Sequence, residues 1–207
     1  MDNQQQELPF RQWGGARKGA GRKPRGLRAG VPHRPRRRFR RGTLHVTVRV
    51  RAEIWRLRSH RCFRALKRAF AGGCARFGFR LIHFSVQGNH IHCIVEAPDA
   101  VTLGRAMKGL EVRMARALNK VMSRRGQVFA DRYHAHLLTS IQEAAFSLRY
   151  VLENRRVHAL RAGLPAPDGI DPLCSDAWRD HSPLLVRDPE FWLLQVGVGR
   201  LERTLAA

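Results

Sequence analysis

Two histidines separated by one residue are the first candidates for chemistry in this chain. His90 and His92 lie in the apolar stretch LIHFSVQGNHIHCIVEAPD, residues 81–99. If this stretch is a β-strand, side chains two residues apart face the same way, about 7 Å apart along the strand. Two imidazoles so placed can bind one divalent metal ion. The chain has ten histidines, so the spacing alone leaves open a pair of solvent-facing side chains.

Hydrophobic periodicity predicts the elements that must position this pair. Period-two patterns predict strands in TLHVTVRVR, GFRLIHFSV, HIHCIVEA and QVFADRYHAHLL. Helical spacing predicts one helix over 61–77, a second over 103–118, and a third after Ser140, which forms a capping-box pair with Glu143. The order β, α, β, β, α, β, α predicts an α+β fold, a ferredoxin-like split βαβ sandwich in which helices cover one face of an antiparallel sheet.

The formal net charge of +23 indicates a polyanionic partner. Residues 1–43 carry thirteen lysines and arginines against two acids, whereas residues 160–207 carry five against seven. Counterion release makes nucleic acid the natural partner for so many cations. No apolar run is long enough to cross a membrane, and the four cysteines show no zinc-type spacing. We therefore expect a cytoplasmic protein with reduced thiols and no membrane partner, associated with the nucleoid when bound to DNA.

The composition divides the chain into three parts. Residues 1–42 are rich in Gly, Pro and Arg, which predicts a disordered basic arm. Within the arm, GRKPRG resembles the core of an AT-hook, so Arg22, Lys23 and Arg25 are candidates for minor-groove contacts or for general phosphate contacts. We expect the folded domain over 43–163 and an extension over 164–207 that packs on it.

The sequence around the histidines resembles the HUH single-tyrosine transposases, which act on single-stranded DNA. HFSVQGNHIHCIVE is similar to their His-hydrophobic-His motif, and RYHAHLLTSIQEAAFSLRYVLENRRVHAL is similar to the terminal half of the REP-associated branch. The resemblance covers residues 43–163. It implies that His90 and His92 bind a metal ion, Mg²⁺ or Mn²⁺, that Asn154 supplies a third ligand, and that Tyr150 is the nucleophile. Tyr150 and Asn154 are four residues apart, hence on one face of the predicted helix.

Several residues depart from the family pattern or compete for these roles. The family commonly has proline after the asparagine, whereas this chain has Arg155, so the helix can continue. Glu153 is close enough to be an alternative ligand or base. Tyr133 is interpreted as a packing residue on the fourth strand, and His83 as an ordinary strand residue.

The resemblance implies a DNA strand-transfer enzyme that forms a 5′-phosphotyrosine intermediate on a hairpin-bearing single strand, as a monomer or a homodimer. The alternatives are a non-catalytic DNA-binding protein of the same fold and a related replication initiator or relaxase. We expect backbone contacts to the DNA from basic residues of the second helix and from two cations nearer the tyrosine. These are Arg105, Lys108, Arg113, Arg116, Arg132 and Arg149.

Overall fold

The computed structural model describes residues 38–178 and 185–199, and the predicted arm therefore lies almost entirely outside the described residues. The strands are β1 (Arg40–Arg49), β2 (Ala75–Arg76), β3 (Phe79–Val86), β4 (His90–Asp99) and β5 (His134–Leu138). The helices are α1 (His60–Ala71), α2 (Ala100–Val121), α3 (Ile141–Leu152) and α4 (Asn154–Arg161), followed by a 3-10 turn (Ser175–Trp178) and a π-helical turn (Leu193–Gly197).

The five strands form one antiparallel sheet in the order β2-β3-β4-β1-β5. Without the two-residue β2, this is the strand order of a split βαβ sandwich, in which the central β4 and β1 are neighbours although they are far apart in sequence. The predicted α+β class and antiparallel sheet are confirmed. The predicted hairpin is also present, because the Gln87 N–H donates to the carbonyl of His90 across the turn.

The helices occupy both faces of the sheet, which corrects the expectation that they share one. The larger core joins α1 and α2 to the β4 side chains Ile91, Cys93 and Val95. A smaller core on the other face joins Ile94 to α3. Because adjacent strand residues point to opposite faces, His90 and His92 lie on the α3 side of the sheet.

Two predicted elements are shorter than their sequence patterns indicated. α1 ends at Ala71, and Gly72 caps it through a hydrogen bond from its N–H to the Arg68 carbonyl, so residues 75–76 are free to pair with β3. The fourth predicted strand forms a continuous ladder with β1 over His134–Leu138, and its first half is reduced to an isolated bridge between Phe129 and Val50. Tyr133 precedes this strand and is buried in the larger core.

The segment after α4 returns to the sheet and is fixed by a buried ion pair. Both terminal nitrogens of Arg58 donate to Asp171, each at 2.8 Å, and one also donates to the carbonyl of Val86. The Asp171 side chain is only 2% exposed. Further along, Glu96 accepts hydrogen bonds from the backbone N–H groups of Glu190 and Phe191. The residues after 163 therefore hold the ends of β3 and β4 in place.

Replacing Asp171 by alanine should lower the free energy of unfolding by about 3 kcal/mol, because it leaves the largely buried Arg58 guanidinium without its counterion. Urea denaturation followed by circular dichroism measures the change. Asp168→Ala is the matched control, since Asp168 is exposed in the same segment; its effect should stay within about 0.5 kcal/mol. Equal effects of the two substitutions would mean that the ion pair does not anchor the segment.

Candidate active site

The two strand histidines lie together at the start of β4. Their ring centroids are 4.7 Å apart and the ring planes are nearly perpendicular, at 87°. His92 is buried and stands opposite Thr47 of β1 and Ser85 of β3, whereas His90 is half-buried at the end of the strand. The Nδ1 atom of His90 is 2.8 Å from the Asn89 side-chain oxygen. The predicted pair therefore exists, and both rings face the α3 side.

The His92 ring is oriented by two residues of β1. Its Nδ1 atom lies 3.0 Å from Nε2 of His45 and 3.2 Å from Oγ1 of Thr47. Its Nε2 atom is buried and has no hydrogen-bond partner among the described residues. With Nδ1 engaged by the strand, the Nε2 lone pair is the one available to a ligand.

Sequence reasoning missed His45 and Thr47. Both alternate with Val46 and Val48 in β1, so the period-two pattern already put them on the polar face of that strand. The register of the sheet, however, is not visible in that pattern. Only the pairing of β1 with β4 brings Thr47 opposite His92.

Burial keeps these imidazoles in the neutral form. It lowers the pKa of His92 to about 3 and that of His45 to about 4, with smaller contributions from neighbouring histidines. The pKa of His90 is also lowered, chiefly by burial and then by His158. A neutral imidazole has the free lone pair that metal coordination requires.

Tyr150 lies on α3 beside His92 and His45. Its ring centroid is 5.2 Å from that of His92 and 5.9 Å from that of His45, in edge-on contacts. The side chain is half-buried against the smaller core, next to Leu148. The tyrosine predicted from the sequence is therefore beside the predicted metal pair, while Tyr133 lies on the other face of the sheet, buried in the larger core.

Asn154 is buried, and neither amide atom of its side chain has a hydrogen-bond partner among the described residues. The expectation that Tyr150 and Asn154 share one face of a single helix is corrected. The helical run is interrupted at Glu153, so Tyr150 lies on α3 and Asn154 is the first residue of α4. The chain does continue as a helix past Arg155, as expected, and it brings His158 to 5.9 Å from His90 between ring centroids.

The predicted DNA-contacting cations do not form one group around the tyrosine. The α2 residues Arg105, Lys108, Arg113 and Arg116 belong to the helix on the opposite face of the sheet. Arg149 is exposed on α3 beside Tyr150, and Arg132 is exposed before β5. Arg22, Lys23 and Arg25 lie outside the described residues. The Nδ1 atom of His83 lies 3.1 Å from the Ser175 hydroxyl oxygen.

The donor set fits a divalent metal ion. Within the described ranges, no three His, Cys, Asp or Glu side chains are arranged to hold one, so a site at this position depends on an amide ligand as well as the two histidines. The Nε2 atom of His92 and the Oδ1 atom of Asn154 are both buried and unpaired among the described residues, and each is an atom type that can coordinate such an ion. Neutral nitrogen and amide oxygen donors leave the full charge of the ion available to an anionic substrate.

Comparison with known proteins adds a family and a fold. The family model described as "Transposase IS200 like" matches residues 39–154, which is more than half of the chain. No curated protein matches. A solved structure of a REP-associated tyrosine transposase bound to a REP hairpin is 16% identical, with a TM-score of 0.56 over 78% of this chain and 95% of that one. A candidate transposase from Deinococcus radiodurans R1 is 13% identical, with a TM-score of 0.41 over 59% of this chain and 94% of its own.

The helices in the described ranges are too short or too polar to cross a bilayer, and none of them qualifies as a membrane span.

Replacing Asn154 by leucine should stabilise the metal-free protein by about 1–3 kcal/mol, because it removes two buried polar atoms that lack partners. Thermal unfolding in EDTA measures this. Gln87→Leu is the matched control, since Gln87 is also a buried amide but its side chain donates to Ser85 at 2.8 Å; that substitution should destabilise. If Asn154→Leu also destabilises the protein, the amide has a partner and is not held open for a ligand.

Proposed function

This chain belongs to the IS200-like transposase family, and on that premise we propose that it cuts and rejoins single-stranded DNA through Tyr150. The observation that carries the proposal is the distance of 5.2 Å between the ring centroids of Tyr150 and the buried His92. His90 lies beside His92, and Asn154 is buried at the start of α4, four residues after Tyr150. A protein that only bound DNA would have no need to bury unpaired polar atoms beside a half-exposed phenol, so the arrangement favours catalysis over the non-catalytic alternative.

In the proposed reaction, the Tyr150 hydroxyl oxygen attacks the scissile phosphorus and forms the new oxygen–phosphorus bond. The bond from phosphorus to the 3′ oxygen breaks, which leaves a free 3′-OH and a 5′-phosphotyrosine. The phenol proton passes to water, since Tyr150 is only half-buried, and the departing 3′ oxygen takes a proton from water to become the 3′-OH. Attack by the 3′-OH of another strand reverses these bond changes and releases the tyrosine, so no external energy source is needed.

We propose that His90, His92 and Asn154 hold Mg²⁺ or Mn²⁺ at this site. When bound, the ion polarises the scissile phosphate and stabilises negative charge on the leaving oxygen. His45 and Thr47 hold the His92 ring so that its Nε2 faces the ligand position. The α3 helix holds Tyr150 on the same side, and its exposed Arg149 can contact the DNA backbone.

We propose DNA as the partner of this chain, with a hairpin-bearing single strand as its substrate. The net charge of +23 supports a nucleic-acid partner. The REP-associated transposase of the same fold was solved with a hairpin bound.

Tyr150→Phe should abolish the covalent protein–DNA adduct, because the variant lacks the attacking oxygen. Labelled hairpin-bearing single strands from the DNA that flanks the gene are incubated with the protein and Mn²⁺, and the adduct is read on a denaturing gel. Tyr133→Phe removes the other tyrosine hydroxyl of the chain and should leave the adduct in place. An adduct that persists in Tyr150→Phe assigns the nucleophile to another residue.

His90→Ala and His92→Ala should each remove detectable Mn²⁺ binding, measured by isothermal titration in the absence of DNA. His45→Ala should weaken binding by about 10–100-fold, the usual effect of losing a partner that orients a ligand. His83→Ala is the control, because His83 bonds Ser175 and is not one of the proposed ligands. Unchanged Mn²⁺ affinity in His92→Ala would exclude the proposed ligand set.

A further inference from the structure

A groove of about 540 Å³ opens beside His90. It lies between the loop after β1, the β3–β4 turn, α4 and the segment that follows α4. Its lining combines polar side chains, among them Arg56, Arg155, His158 and His90, with the apolar Leu164 and Pro167. The groove therefore shares a wall with the proposed metal pair.

The groove is strongly cationic. Its described lining has three arginines and two histidines and contains no carboxylate. The arginines are not equivalent, because the Arg58 guanidinium is engaged by Asp171 and by the Val86 carbonyl. The side chains of Arg56 and Arg155 form no ion pair with a described acid, and Arg56 is exposed while Arg155 is half-buried. These two cations are the ones available to an anionic ligand.

The groove also has apolar lining residues. These are Ala159, Leu164, Pro165 and Pro167, and Leu164 is 59% exposed although it is aliphatic. A ligand that satisfies both kinds of lining carries negative charge and also a flat or aliphatic surface. A nucleotide has this form, with its phosphate on one side and its sugar and base on the other.

We propose that this groove is a subsite for the nucleotide that adjoins the scissile phosphate in the single strand. Arg56 and Arg155 bind its phosphate, and the apolar residues Leu164, Pro165 and Pro167 contact its sugar or base. The proposal rests on the proposed function, and it assigns a role to Arg155, which directly follows the candidate ligand Asn154. The strand would then run from the groove past His90 to Tyr150.

The charge part of the proposal is tested by binding in EDTA, in the Tyr150→Phe background, so that neither cleavage nor metal contributes. The probe is a fluorescein-labelled oligo-dT strand, and anisotropy is measured over a series of salt concentrations. Arg56→Gln and Arg155→Gln should each weaken binding and reduce the slope of log K against log salt by about 0.7, the value for one phosphate contact on a single strand. Arg156→Gln is the control, because Arg156 neighbours Arg155 on α4 but does not line this groove.

The location is tested by photo-crosslinking. Benzophenone-maleimide attached at Leu164→Cys should crosslink to the same oligo-dT strand, and Arg155→Gln should reduce the yield. Leu160→Cys is the matched position, since Leu160 is 56% exposed on α4 and lies outside the groove lining. The native cysteines Cys62, Cys74, Cys93 and Cys174 are all buried, so labelling is selective.

Equal crosslinking at positions 160 and 164, or an equal loss of binding in Arg156→Gln and Arg155→Gln, would overturn the subsite. Neither readout needs the tyrosine or the metal. If these two tests give the expected results but the unmodified protein forms no covalent adduct with DNA, the proposed reaction is overturned and the subsite stands.

Discussion

The alternation of side chains along β4 is the constraint on which the rest of the structure depends. Ile91, Cys93 and Val95 enter the core beneath α1 and α2, and this places His90 and His92 on the opposite face. A shift of one residue in the register would put both imidazoles in the apolar core. The same packing that stabilises the sheet therefore fixes the orientation of the histidine pair. The helix α3, which carries Tyr150, covers this second face and so brings the tyrosine beside His92.

The site combines tight burial with incomplete hydrogen bonding. His92 and Asn154 are among the most buried polar residues, yet the Nε2 atom of one and the amide of the other lack partners within the described ranges. Buried polar groups are normally paired, and leaving them unpaired costs stability. The His92 ring is held by β1 through His45 and Thr47. The unpaired atoms lower the stability of the protein relative to a fully paired arrangement, and the proposed metal ion would supply the missing partner.

Local patterns in the sequence predicted most of the helices and strands, but they could not predict contacts between segments that are far apart in the chain. The alternation in β1 and β4 and the capping pair Ser140 and Glu143 are short-range features, and the structure has the strands and the helix that they indicate. The contacts of Thr47 and His45 with His92 depend on the register between β1 and β4, which are far apart in the chain. For this reason the sequence did not indicate either residue. The strand predicted over 127–138 is shorter than expected, because Val128 and Tyr133 are buried in the core while the segment between them makes only an isolated bridge, Phe129 to Val50, before β5 begins. Tyr150 was found by motif resemblance, and its distance from His92 became visible only in three dimensions.

The helical run is interrupted at Glu153, so Tyr150 and Asn154 lie on two helices and not on one continuous helix. In an unbroken helix, Tyr150 and Asn154 would move as one rigid body, with their separation set by the helical pitch. Instead, the backbone of Glu153, at φ −92° and ψ 8°, links two short helices with separate packing partners. α3 packs against β3 and β4 through Ala144 and Val151, whereas α4 borders the arginine-lined groove. In the proposed reaction, the attacking phenol and the amide ligand would therefore be held by different parts of the fold, Tyr150 by the smaller core and Asn154 by the helix that borders the groove.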